Sequence, residues 1–468
     1  MSASHSSESR DYRVKGGFLA NAWKVFLGVG LVGLGGGFAL GAGDGKRFAF
    51  AYLFAFVTFL AIALGGLFFV IVQHLTSAGW SVTVRRTAEF MMSALPVVAL
   101  LFLPLLGKLD DLYPWIPIVE SAQHAPAHGG EHAAPAAGHG EHAAPAHGEH
   151  AAPAHGGASH EPWTPGHRMT TEQIEHEEHH ELIAGKEWYL KKGFFYFRLV
   201  AYLAIWFWLA WTFFKNSTAQ DATKDKSFTV KSAKVAPIAV SLFGLSLTFA
   251  AFDWLMALQP EWPSTIFGVW FFASSVVSSL AVLVLLSGAF RASGVVGNAI
   301  NSEHFHDLGK LLFGFNCFWA YIGFSQFFLI WYASIPEETV YFHIRWGEGP
   351  WTGVSLAIVF LHFFAPFLLL ISRNTKRYFG QKLLYLGAGL IFCMHVVEMY
   401  WAVLPNYAAQ MGVSAGDPHA LAPSIVDVLC FLGVGGVFLA AVFFQAAKHP
   451  LIPVGDPRLH RALHFENA

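Results

Sequence analysis

The residues best placed for chemistry are an imidazole and a carboxyl three positions apart, His395 and Glu398, near the middle of an apolar run at 382–404. On a helix, positions i and i+3 share a face, so the two can share a proton or an internal water. Other ionisable residues inside or at the ends of apolar runs are His74, Glu89, Arg198, Asp253, His362 and Asp427. A charge at the bilayer centre costs about 2.5–3.5 kcal/mol on insertion scales, so each one needs a reason. The chemistry this set suits is proton transfer within a membrane, and Asp253, His395, Glu398, His362, His74 and Glu89 are the candidates for such a path. Plainer roles compete at each position. Asp253 can cap or anchor a helix end beside Trp254, Asp427 suits the first turn of the last apolar run, and Arg198 can snorkel outward. His74 and Glu89, with Arg85 and Arg86, fall near water at the inner face, and His395 with Glu398 can form an internal helix–helix hydrogen bond.

Redox chemistry finds few ligands in the chain. Its three cysteines, Cys317, Cys393 and Cys430, each stand alone in an apolar run. That excludes a CxxC zinc site, a CxxCH haem attachment, a cysteine-ligated iron–sulfur cluster and a disulfide framework. A bis-histidine haem would need His362 and His395 to face each other across a bundle. No metal site and no cofactor bound by this chain alone are expected. There is no GxxxxGK[ST] loop, and the glycines between Gly28 and Gly37 lie in an apolar run rather than after a strand. With 29 Lys+Arg against 31 Asp+Glu, the chain has no bulk basic field for nucleic acid.

The elements that must position these residues are membrane helices. Of 468 residues, 54% are hydrophobic and only 13% charged, about half the charged share of a soluble domain; mean hydropathy is +0.46. About 20 apolar residues cross the hydrocarbon core, and backbone polar groups cannot stay unpaired there, so each long run is helical. Ten spans are expected, near 20–42, 48–73, 87–107, 194–214, 235–256, 264–290, 311–334, 350–372, 382–404 and 424–447. The chain divides into a leader (1–19), spans 1–3 (20–107), a long loop (108–193), spans 4–5 (194–256), spans 6–10 (264–447) and a tail (448–468). The first run is longer than a signal-peptide core, which favours an uncleaved span over cleavage near Ala42. With the N-terminus inside, inner segments hold 19 Lys/Arg and outer loops 8, so both termini are expected to be cytoplasmic and the long loop outside. Tyr113, Trp115, Trp254, Trp262, Trp331, Trp351 and Trp401 are expected to mark the outer interface.

Within the long loop, Glu-His-Ala-Ala-Pro-Ala recurs at 131–136, 141–146 and 149–154, and 13 of the chain's 24 histidines lie between His124 and His180. Alanine, proline, glycine and histidine cannot build a core, so 122–166 is expected to be disordered. A soluble tether is favoured over weak metal binding. The run Glu172–Glu181 suits a short surface helix.

Several motifs carry a family resemblance. They are Phe252-Asp253-Trp254-Leu255-Met256, the run Trp262 to Gly268, the run His306 to Phe313, Phe318-Trp319-Ala320-Tyr321, Phe324-Ser325-Gln326 and the run Ile330 to Thr339. In order and spacing the chain resembles the ActF-type, second NrfD-like (polysulfide-reductase-like) membrane subunits of bacterial alternative complex III, a quinol:cytochrome c or quinol:acceptor oxidoreductase. The resemblance covers nearly all ten spans and is densest over 250–340. It implies an all-α fold of two four-helix bundles, spans 2–5 and 6–9, flanked by spans 1 and 10. It implies a bacterial inner-membrane location and these partners: a sister NrfD-like subunit, an iron–sulfur subunit, multihaem and monohaem cytochromes c, small membrane subunits and lipid. It also leaves a quinone or quinol pocket open in this chain and implies a role in proton conduction. The histidine-rich repeats depart from the family pattern. A metal- or proton-coupled secondary transporter and a purely structural scaffold are the competing readings.

Overall fold

A computed structural model describes residues 11–124, 183, 185–347, 349–377 and 381–466. The histidine repeats and the Glu172–Glu181 segment lie outside those residues. The described chain is helical and contains no strand. Ten helical segments are long and apolar enough to cross a membrane. They are α1 (Phe18–Gly41), α2 (Gly45–Leu75), α3 (Val82–Leu106), α4 (Lys192–Thr223), α5 (Ser227–Trp254), α6 (Phe267–Ala292), α7 (Ser302–Ala333), α8 (Pro350–Leu370), α9 (Lys382–Gln410) and α10 (Ile425–Lys448). A short helix, Pro336–Trp346, lies between α7 and α8.

Helices α2 and α6 form the centre: 89% and 83% of their most apolar windows are buried, against 22% for α1. They approach closely because Gly65 has no side chain. A Cβ there would lie 2.1 Å from the Ser275 carbonyl oxygen and 2.5 Å from Ser279 Cβ. Around this seam α2–α5 make one bundle and α6–α9 the other, while α1 and α10 pair on the flank. The flank seam is again glycine against glycine, since a Cβ on Gly33 would meet the Gly433 backbone nitrogen at 2.5 Å. Small residues permit this backbone approach, which drives helix association in lipid.

Several helices run past the lengths read from hydropathy. α4 continues to Thr223, α5 starts at Ser227, α7 starts at Ser302 and α9 runs to Gln410. Polar first and last turns stay helical because capping and packing, not apolarity, decide where a helix ends. Asn301 shows this at the start of α7, where its side chain accepts from the backbone of Glu303 and His304. The third span is interrupted instead: Val82–Met92, Leu95–Leu100 and Leu103–Leu106, with Pro96 and Pro104 opening the second and third pieces. The helix Trp115–His124 also reaches into the stretch expected to be disordered.

The two ends of the bundle differ. One end, the tail face, gathers the ends of α2, α4 and α6 with the C-terminal segment 449–465, where Asn301 donates to the Phe465 carbonyl. The other, the loop face, carries Lys108–His124, Glu187–Leu190 and Pro336–Trp346. Of the aromatics expected at an interface, Trp331 is exposed, but Tyr113, Trp115, Trp254, Trp262 and Trp351 are buried. They tie loops together instead. The indole N–H groups of Trp115, Trp262 and Trp351 donate to the carbonyls of Ala257, Glu338 and Ala420. A buried indole needs a partner for its N–H, and loop carbonyls need donors, so each satisfies the other.

Candidate functional site

The sequence candidates separate into three clusters. The first lies at half depth and is built around Glu398, which five helical segments enclose. His395 and Glu398 both come from the middle of α9, Ser274 from α6, Trp319 from α7, His362 from α8 and Thr58 from α2; each is buried. Ser274 Oγ donates to Glu398 Oε2 at 2.6 Å and Trp319 Nε1 donates to Oε1 at 2.6 Å. His395 Nδ1 lies 3.6 Å from Glu398 Oε2 and 3.1 Å from Ser274 Oγ, and its Nε2 lies 3.3 Å from the Thr58 carbonyl oxygen. His362 Nδ1 lies 4.0 Å from the same Oε2, and its ring packs on Trp319 with centroids 3.9 Å apart. Charge-assisted bonds of this length are the strong ones, so the carboxyl is held in one place.

Local winding explains how His362 arrives there. Ile358–Phe364 is π-helical, and the Ala365 N–H bonds back five residues to the Phe360 carbonyl. Pro366 has no N–H to offer the His362 carbonyl four residues earlier, and a wider turn absorbs the break. The two imidazoles converge on one carboxylate oxygen: His395 shares the Ser274 hydroxyl with it, and the His362 ring nitrogens take no hydrogen bond within the protein.

The second cluster lies toward the loop face. Arg198 Nε and Nη2 donate to the two carboxylate oxygens of Asp253 at 2.7 and 2.9 Å, while Tyr189 and Tyr202 hydroxyls donate at 2.9 and 2.8 Å. The guanidinium also stacks on Tyr189, 3.8 Å from its centroid. Arg198 therefore does not snorkel to water; it turns inward because a buried carboxylate and an aromatic face receive it. Asp427 takes the helix-capping role expected for it. It accepts from the Ser424 backbone at 2.9 Å, and it also pairs with Arg47.

The third cluster lies at the tail face and corrects the placing of His74 and Glu89 near water. Both are buried, at 3% and 0% exposure, together with Arg85 and Arg86. Glu89 pairs with Arg85 at 2.9 Å and Arg86 at 3.0 Å, and it accepts from the Ser217 hydroxyl at 2.8 Å. Arg86 also reaches Asp221 at 2.6 Å, and Arg85 reaches Asp456 at 2.8 Å. Asp456 belongs to the C-terminal segment, which covers this end of the bundle. Burial alone would raise the Asp456 carboxyl, yet Arg85 and Arg458 beside it hold it well below the usual carboxylate range.

Sequence reading missed Ser274, Trp319 and Thr58. Four hydroxyls in six residues of α6 (Ser274, Ser275, Ser278, Ser279), all buried in an apolar helix, were the available signal. No protein-family model matches the chain, and no curated protein matches it.

Proposed function

We propose that the chain is a membrane subunit of a respiratory quinol:cytochrome c (or other acceptor) oxidoreductase and that it conducts protons through the group around Glu398. The observation that carries the reading is a single buried carboxyl with two imidazoles, from different helices, within 4.0 Å of one of its oxygens. A structural acid needs donors. This one has both a hydroxyl and an indole N–H, and it still faces two imidazoles, side chains able to take up and release a proton. A proton moving from Oε2 to His395 Nδ1 by way of the Ser274 hydroxyl, which takes the acid proton as it passes its own on, leaves a carboxylate and an imidazolium; the reverse step restores both. His362 Nδ1 offers the second exchange partner on the opposite helix.

At the tail-face ends of α2, α3 and α6 lie buried polar atoms that take no hydrogen bond within the protein, on Gln73, His74, Thr83, Thr87 and Ser287. Such atoms suit internal water, which would open the tail-face end of a proton path toward the Glu398 group. Asp253 fits the path poorly, because four donors already occupy its two oxygens. Glu89 is likewise held between two guanidinium groups. In this reading electrons travel through partners: an iron–sulfur subunit, cytochromes c and a sister membrane subunit, in a bacterial inner membrane with both termini cytoplasmic. A quinone bound by this chain would serve a partner's redox centre.

The test is Glu398→Gln in native membranes. The amide keeps the shape and an acceptor for Trp319 but holds no exchangeable acid proton. Assembly and quinol oxidation persist while protons released per electron fall. An unchanged proton-to-electron ratio would sink the proposal.

A further inference from the structure

Arg345 is a buried cation that the relay described above does not use. It lies in the last turn of the short helix Pro336–Trp346 on the loop face and is 0% exposed. Its donors go to backbone carbonyls: Nη1 to Tyr341 at 2.8 Å, Nη2 to Ala402 at 3.0 Å and Nε to Trp401 at 3.2 Å. Its guanidinium carbon lies 3.7 Å from the Tyr341 ring centroid and 5.1 Å from that of Trp401. Among the described residues no carboxylate forms an ion pair with it. Burial pushes its pKa down to about 10, with Tyr341 opposing, which leaves it charged at neutral pH.

The sequence builds this seat. Pro405 has no N–H for the Trp401 carbonyl four residues earlier, so that oxygen is free to accept from outside its helix. Arg345 takes it. Ser355 then locks the arrangement, donating to the Arg345 carbonyl at 2.7 Å while accepting from Trp401 Nε1 at 2.8 Å. Trp401 and Ala402 stand three and four residues beyond Glu398 on α9, about 5 Å along the axis at 1.5 Å per residue. The charge, with no carboxylate ion pair among the described residues, is therefore seated one turn from the relay, between Glu398 and the loop face.

We infer that Arg345 is an electrostatic gate, a fixed positive charge at the loop-face end of the relay that blocks uncontrolled proton passage between Glu398 and that face. The inference rests on the proton-relay reading. A proton crossing this turn must approach a unit charge in a medium of low effective dielectric, and at an effective ε of about 20 the repulsion slows it roughly ten- to a hundredfold.

The experiment measures passive proton flux. The full-length chain is reconstituted into vesicles holding a pH-sensitive dye, the potential is clamped with potassium and valinomycin, and an external pH step is applied. R345Q keeps a planar donor without the charge and is expected to leak about ten- to a hundredfold faster than wild type. R345K, which keeps the charge, is expected to stay tight, and R345Q/E398Q is expected to lose the leak. A tight R345Q overturns the gate. So does an equal leak in R345K, which would make Arg345 a packing plug, or a leak that survives in the double variant. Should R345Q not accumulate, Y341E sets a carboxylate beside the intact guanidinium, since the Tyr341 ring lies 3.7 Å from it one helical turn earlier, and is expected to leak as R345Q would; a tight Y341E overturns the gate. Failure of the relay itself reads differently, as an unchanged proton-to-electron ratio in E398Q. A tight R345Q beside a lowered ratio in E398Q removes the gate alone.

Discussion

Asp456→Asn tests whether the C-terminal segment is clamped onto the tail face by charge. The carboxylate accepts from Arg85 at 2.8 Å and from Arg458 at 3.0 and 3.1 Å, and both the carboxylate and Arg85 are buried. With Asp456 ionised, the knot balances Arg85, Arg86 and Arg458 against Glu89, Asp221 and Asp456; the amide leaves it one positive charge in excess. Removing one partner of a buried pair costs about 3–5 kcal/mol. Arg85 keeps Glu89 at 2.9 Å, which places the cost near the lower end. At 1.4 kcal/mol per tenfold, about 3 kcal/mol raises the undocked fraction of the segment roughly a hundredfold. Trypsin cleavage at Arg458 or Arg461 follows that fraction when docking is fast. The expected result is a gain of about two orders of magnitude in cleavage rate, with the helices still protected by their own packing. An unchanged rate would refute the clamp. The pH dependence has a definite sign. Because the folded pKa is depressed, the clamp's contribution is complete above the unfolded value of about 3.9 and is lost only as pH falls through the lower folded value. Mild acid at pH 5 should therefore not release the segment.

Three further outcomes are expected. Arg198→Gln leaves the Asp253 carboxylate buried with only tyrosine donors and should lower stability by about 3–5 kcal/mol, read as a loss of thermal stability in detergent; a shift within error would mean the pair contributes nothing. Gly433→Leu places a side chain where a Cβ already meets the Leu34 nitrogen at 2.7 Å, so a cysteine crosslink across the α1–α10 seam should fail to form, and persistent crosslinking would show that the seam tolerates bulk. Ser121→Cys should react with an impermeant thiol reagent applied outside and Ser227→Cys should not; the reverse pattern inverts the membrane orientation argued from the Lys/Arg count.

Much of the scaffold was legible because membrane helices obey a strong local rule. A run of about 20 apolar residues has few alternatives to a spanning helix, so all ten could be placed from composition. The i, i+3 spacing likewise put His395 and Glu398 on one face. What local pattern could not supply was partnership across helices. Trp319 and Ser274 look like ordinary residues of apolar segments, and only the packing of α6 and α7 against α9 turns them into donors for one carboxyl. Arg198 misled for the same reason, since snorkelling is the default for an isolated arginine and Asp253, 55 positions away, is what overrides it. The buried aromatics followed suit: amphipathic rings suit a membrane interface, but loops folded over the bundle end offered carbonyls closer by.

Two prolines link sequence to site in a way that periodicity alone does not reveal. Pro366 and Pro405 each withhold an N–H from the carbonyl four residues earlier, and those carbonyls belong to His362 and Trp401. In α8 the winding widens to a π turn, which carries His362 to within 4.0 Å of Glu398. In α9 the helix stays regular, and the freed Trp401 oxygen takes Arg345 from another element. A broken backbone bond is costly in a membrane unless protein groups satisfy it or a cavity is lined by it, so such breaks persist where something is built on them. Here both breaks converge on the same carboxyl, one delivering an imidazole to it and the other seating a cation about one turn beyond it. That coincidence supports the proposed proton chemistry at Glu398, which the Glu398→Gln ratio tests.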